Sequence, residues 1–125
     1  MVDPLTPFDA DRLAAVAADR GVPVDTLEEL VTRHHAHADS MPGVDELVFE
    51  WRRFLDYDPL VLRTDDAYHL AVDESIWREF GAQMELDGEE VNTLLALHDR
   101  EARATAGTDG STAPYDRRAA MVLAR

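Results

Sequence analysis

Apolar residues along this chain recur mostly at helical spacing. The first such stretch opens at Thr6-Pro7-Phe8-Asp9. Thr6 suits an N-cap, Pro7 a first helical position, and Asp9 the positive end of the helix dipole. Leu13, Val16 and Ala17 then share one face, and Gly21 is the stop. In "VPVDTLEELVTRHHAHAD" the positions Leu27, Leu30, Val31, His34 and Ala38 fall on one stripe, with Asp25 and Glu28 spaced as a capping pair. "SMPG" breaks the pattern. A third helix is predicted over about 44–56, with Val44, Leu47, Val48, Trp51 and Leu55 inward. "LVLRTDDAYHLAV" then reads as two short strands around a Thr64-Asp65-Asp66-Ala67 turn. Asp73 and Asp87 cap two further helices. Their stripes are Ile76, Trp77, Phe80, Met84 and Val91, Leu94, Leu95, His98, Ala102. After a small polar stretch, Tyr115, Ala119, Val122 and Leu123 return to helical spacing.

These elements predict an α+β fold, mostly α-helical, with about five to six helices and one β-hairpin after the third. The expected organisation is a helical domain over 1–106 with the hairpin at about 59–72, a flexible linker at 107–113, and a C-terminal amphipathic helix at 114–125.

Charge changes the picture most. The chain has 125 residues, 26 acidic and 12 basic, for a net charge of −14. Every basic residue is arginine, and aspartate outnumbers glutamate by 16 to 10. Such a balance suits a cytoplasm of molar salt, where a Debye length of ~3 Å screens self-repulsion. The stretch "LVLRTDDAYHLAV", followed by "DESIW" and a long helix, resembles small uncharacterised haloarchaeal proteins. That resemblance implies no known activity. The absence of cysteine excludes disulfides and thiolate metal sites. No apolar run approaches the ~20 residues of a membrane span, and "MVDPLTPFDADR" lacks the basic and apolar regions of a secretory signal. The expected location is cytoplasmic, with no membrane contact.

His34, His35 and His37 fall within four residues, followed by Asp39. At 100° per residue the three imidazoles diverge, so no single ion gathers them. His34 occupies the same place in its stripe as His98 does in its own, and two packed helices would bring those rings together in the core. A metal site, if present, would draw on His34, His37 and His98. The favoured expectation is two buried structural imidazoles, with His69 exposed or paired across the hairpin. No cofactor motif and no nucleophile elbow occurs around Ser40, Ser75 or Ser111, and Asp65-Asp66 reads as turn chemistry. No catalytic residues are assigned.

Residues 16–31 have the spacing of a helix-turn-helix, but Asp25, Glu28 and Glu29 stand where phosphate contacts belong. A winged-helix register would use the third helix and the hairpin, with Arg52, Arg53 and Arg63 as nucleic-acid contacts. Charge disfavours it. The favoured expectation is a small non-enzymatic interaction or regulatory protein that engages a protein partner or a second copy. Residues 107–125 sum to +1 against −15 for residues 1–106. Tyr115, Arg117, Arg118, Val122 and Leu123 are therefore the interaction candidates, on a tail that docks on an acidic surface.

Overall fold

The computed structural model describes residues 2–109 and 111–125. Its elements run α1 (Ala10–Arg20), α2 (Val24–Asp39), α3 (Val44–Phe54), β1 (Leu60–Arg63), β2 (Ala67–Val72), α4 (Glu74–Gln83), α5 (Gly88–Asp109), a short 3₁₀ turn (Ala113–Asp116) and β3 (Ala119–Ala124). The fold is α+β: five α-helices against an antiparallel sheet ordered β1-β2-β3.

On α1 and α2 the expected stripes are buried in full: Leu13, Val16 and Ala17 on the first, Leu27, Leu30, Val31, His34 and Ala38 on the second. Trp51, Leu55, Ile76, Met84 and Leu95 of the later expected stripes are half-buried. Gly21 ends α1 in the left-handed region at φ 69°, where its N–H reaches Ala17 and Ala18 carbonyls. Asp87 and Glu90 form a reciprocal capping box at the start of α5, each accepting the other's backbone N–H at 3.0 and 2.8 Å. Three caps differ from expectation. Helix α1 begins at Ala10, capped by Asp9, whose Oδ2 accepts the Arg12 N–H; Thr6 lies in a preceding turn. Helix α2 begins after Pro23 without a side-chain cap. Asp73 stands at the N-cap of α4, but its side chain makes no capping hydrogen bond. Helix α4 comes close to α5 at Gly81, where an added Cβ would stand 2.6 Å from Val91 Cγ2.

The main correction concerns the C-terminal segment. Residues 114–125 are not a docked helix on a flexible linker. Helix α5 runs on to Asp109, Gly110 lies outside the described residues, and the chain turns at Ala113–Asp116 into β3. β3 pairs with β2 along its whole length, from Val72↔Ala119 to Ala67↔Ala124, and the Arg125 N–H continues the ladder to the Asp66 carbonyl at 2.9 Å. The physical reason is burial on both faces. All six residues of β2 and Ala120 to Ala124 of β3 are buried, so "AAMVLA" is a continuous apolar strand rather than one stripe of a helix. Helix α5 lies along β3 and packs against α1, α2 and α4.

Candidate functional site

β3 is the last strand of the sheet, so its outer row of backbone groups has no neighbouring strand. Unpaired buried amides and carbonyls are costly, and edge strands left open recruit other chains. Three helices each supply a partner to one of these groups. Trp77 of α4 donates its indole N–H to the Ala120 carbonyl at 3.0 Å. The Val122 N–H donates to Nδ1 of His98 on α5 at 2.9 Å. Nε2 of His35 on α2 donates to the Ala124 carbonyl at 3.2 Å. These are every second residue of β3, the spacing at which strand backbone groups face one side. The geometry also sets a tautomer. His98 accepts at Nδ1, so it is neutral with its proton on Nε2.

Two of these side chains, Trp77 and His98, also belong to an aromatic cluster with His34 and Phe8. His34 stacks on Trp77, with ring centroids 4.5 Å apart and planes 13° from parallel. His98 meets His34 edge-on at 5.0 Å, Trp77 at 4.8 Å and Phe8 at 5.0 Å. His34 and His98 are thus core residues, 1% and 0% exposed. Burial, then the neighbouring His35 and His37, pushes the His34 pKa down to about 3. Burial, then His34 and His69, holds His98 well below the usual histidine value. His69 is also buried, which corrects its expected exposure; burial lowers its pKa against the pull of Glu101.

The histidine-rich run therefore sends its three rings to three destinations: His34 to the Trp77 stack, His35 to the β3 edge, and His37 to Gln83 Oε1 at 2.6 Å. His37 is half-buried, and its ring also meets Phe80 edge-on at 5.0 Å. Among the described residues, no three His, Asp or Glu side chains gather where an ion would sit.

Glu101 was not among the sequence candidates. It is 2% exposed and ties α1 to α5. It accepts the Asp9 N–H at 2.7 Å and the Arg12 guanidinium through bonds of 3.0 to 3.2 Å. That hydrogen bonding raises the Arg12 pKa. The available signal was position: Glu101 lies three residues after His98 on the buried stripe of α5. This carboxylate is fully engaged in holding the fold.

The interaction candidates of the C-terminal segment separate. Tyr115, Val122 and Leu123 are 4%, 2% and 0% exposed and belong to the core. The Tyr115 hydroxyl has no partner among the described residues, and burial pushes its pKa up to about 12. Arg118 lies 3.6 Å from the Tyr57 ring and 3.5 Å from Asp73, while Arg117 faces solvent.

Besides Val2 and Val24, the large exposed apolar side chains among the described residues are two phenylalanines. Phe49 and Phe54, both on α3, are 58% and 69% exposed. Beside Phe49 is an open cleft of about 600 Å³ lined also by Arg52, Arg53, Leu55, Asp56, Tyr57 and Asp58. Arg52 forms a two-pronged pair with Asp58 at 3.1 Å, which holds the Arg52 pKa up and the Asp58 pKa down. Arg53 lies over the Phe54 ring at 5.3 Å. Arg63 sits apart on the hairpin, 6.0 Å from the Tyr68 ring, so the three candidate nucleic-acid contacts do not form one cationic stripe. The hairpin is no projecting wing either, because β3 covers β2 along its length. No helix among the described residues is long and apolar enough to cross a membrane.

These features define a small α+β domain with a buried cluster of histidine and aromatic rings and two exposed phenylalanines on one helix. The chain belongs to a family described as a domain of unknown function, DUF8048, whose model matches residues 6–125. No curated protein and no solved structure matches it.

Proposed function

We propose that this chain is a small non-enzymatic interaction domain that works through the outer face of α3. The carrying observation is the exposed Phe49, which lines an open cleft with Arg52 and Arg53, together with a second exposed phenylalanine, Phe54, at the end of the helix. Aromatic residues and arginine are the types that dominate binding energy at protein interfaces. Neither phenylalanine has a packing role that explains it, whereas the buried histidines and Glu101 do. The net charge of −14 with no lysine supports a second part of the reading, that the domain works in a salt-rich cytoplasm.

The test is a comparison of baits in concentrated salt. Wild type should retain a partner in fixed stoichiometry, and a Phe49→Ser/Phe54→Ser variant should lose it while keeping the same circular dichroism. If both baits retain the same proteins, α3 is not the contact face.

A further inference from the structure

The outer ridge of α3 has a two-fold pattern. Phe49 stands at its centre. Three and four residues before it are Glu46 and Asp45; three and four residues after it are Arg52 and Arg53. All four charged side chains are exposed. Positions at ±3 and ±4 share a helix face with the central residue. The ridge is thus acidic at one end, aromatic in the middle and basic at the other.

We propose that the occupant of this face is a second copy of the chain, with the two α3 helices antiparallel and Phe49 on the two-fold axis. This deepens the reading of α3 as a contact face and rests on it. In that arrangement Asp45 of each copy faces Arg53 of the other, and Glu46 faces Arg52. A two-fold interface requires such self-complementarity, since the same patch is used twice. The charges by themselves do not carry the argument, because acids at a helix start and arginines at its end also suit the helix dipole. The dipole gives no reason for a phenylalanine exposed at their midpoint. The charged residues of α3 and its adjoining cleft, Asp45, Glu46, Glu50, Arg52, Arg53, Asp56 and Asp58, sum to −3, against −14 for the whole chain, so like-charge repulsion is smaller here than over the chain at large.

The charged groups keep atoms available. Asp45 accepts the Tyr68 hydroxyl through Oδ1, leaving Oδ2, and Arg52 meets Asp58 through Nε and Nη2, leaving Nη1. Glu46 and Arg53 have no ion-pair partner among the described residues. The sheet edges offer a second copy less. β3 is covered by Trp77, His98 and His35, while β1 has four residues, an irregularity between Leu60 and Leu62, and its Leu60 N–H bonded to Asp58. An 11-residue helix is about 16 Å long, so the contact falls at the small end of specific interfaces, below about 1,200 Å². A dissociation constant on the order of micromolar to tens of micromolar is expected.

Sedimentation velocity on the full chain, over about 5–500 μM in about 0.3 M KCl, tests this where ion pairs are only partly screened. Wild type should show a monomer–dimer equilibrium, and Phe49→Ser should be monomeric with an unchanged circular dichroism spectrum. Glu46→Arg and Arg52→Glu should each weaken the dimer about tenfold, because each single change sets like charges face to face. The combined exchange should bind more tightly than either single variant, since every pair facing across the two-fold is opposite again, while staying weaker than wild type because residue 52 then repels Asp58 of its own chain. Monomer at all concentrations overturns the dimer; the bait comparison then decides separately whether α3 is a contact face. A dimer untouched by Phe49→Ser, or an exchange variant no tighter than the singles, overturns the antiparallel arrangement.

Discussion

Acid should weaken this protein through its core histidines before its carboxylates titrate. An unfolded histidine titrates near pH 6.5. In the fold, the His34 ring is stacked on Trp77 in the core and its pKa is pushed down to about 3. Between those two values the unfolded chain binds a proton that the native chain does not. Stability is therefore complete above about pH 6.5 and falls as the pH drops through it. At pH 5, about 1.5 units below the unfolded value, His34 alone removes about 2 kcal/mol. In a domain of this size that is roughly 6–10 °C of melting temperature. His98 acts in the same direction, and protonating it would also remove the acceptor of the Val122 N–H. The assay is urea unfolding at pH 8, 6 and 5 of wild type and His34→Phe, a substitution that keeps a ring against Trp77. The variant's offset at pH 8 is immaterial. What matters is that the stability of wild type relative to the variant should fall by about 2 kcal/mol from pH 8 to pH 5. Carboxylates titrate equally in both chains and drop out of that difference. Parallel stability curves would refute the reasoning.

Three further outcomes are expected. Dilution from about 2 M to about 0.1 M KCl should lower the melting temperature, because the Debye length grows from a few Å to ~10 Å around a chain of charge −14; a flat or rising melting temperature would count against the salt-rich setting. Leu123→Ala, at a side chain 0% exposed in β3, should cost about 2–5 kcal/mol in chemical denaturation, whereas a dispensable tail would lose nothing. Gly81→Ala should destabilise by about 1–3 kcal/mol through the clash with Val91, and adding Val91→Ala should recover part of that loss in a double-mutant cycle.

Legibility in the sequence follows the range of the interactions. The five buried positions of α2, His34 among them, are readable because helical periodicity is local. So are the Asp87–Glu90 box and the β1–β2 hairpin, whose partners are neighbours in the chain. The meeting of His34 with His98 is readable as a match between two stripes. "AAMVLA" is different: its alanine, methionine and leucine suit a helix, and only the presence of β2 on one side and α5 on another makes a strand of it. Glu101 shows the same limit, since its partners Asp9 and Arg12 lie 92 and 89 residues away. The exposed Phe49 left a faint local trace, as an aromatic residue off the apolar stripe of an amphipathic helix.

The pairing of β2 with β3 has a kinetic consequence. Its partners are far apart in the chain, from 47 residues between Val72 and Ala119 to 57 between Ala67 and Ala124. Helices and the β1–β2 hairpin need only short loops to close, on timescales of about microseconds. The β2–β3 ladder must enclose α4 and α5 first, so its closure entropy falls due before its contacts form. Docking of β3 is therefore the expected slow step of folding. Until it occurs, β2 presents a bare apolar edge, and the window between hairpin formation and strand docking is when this chain is most exposed to aggregation.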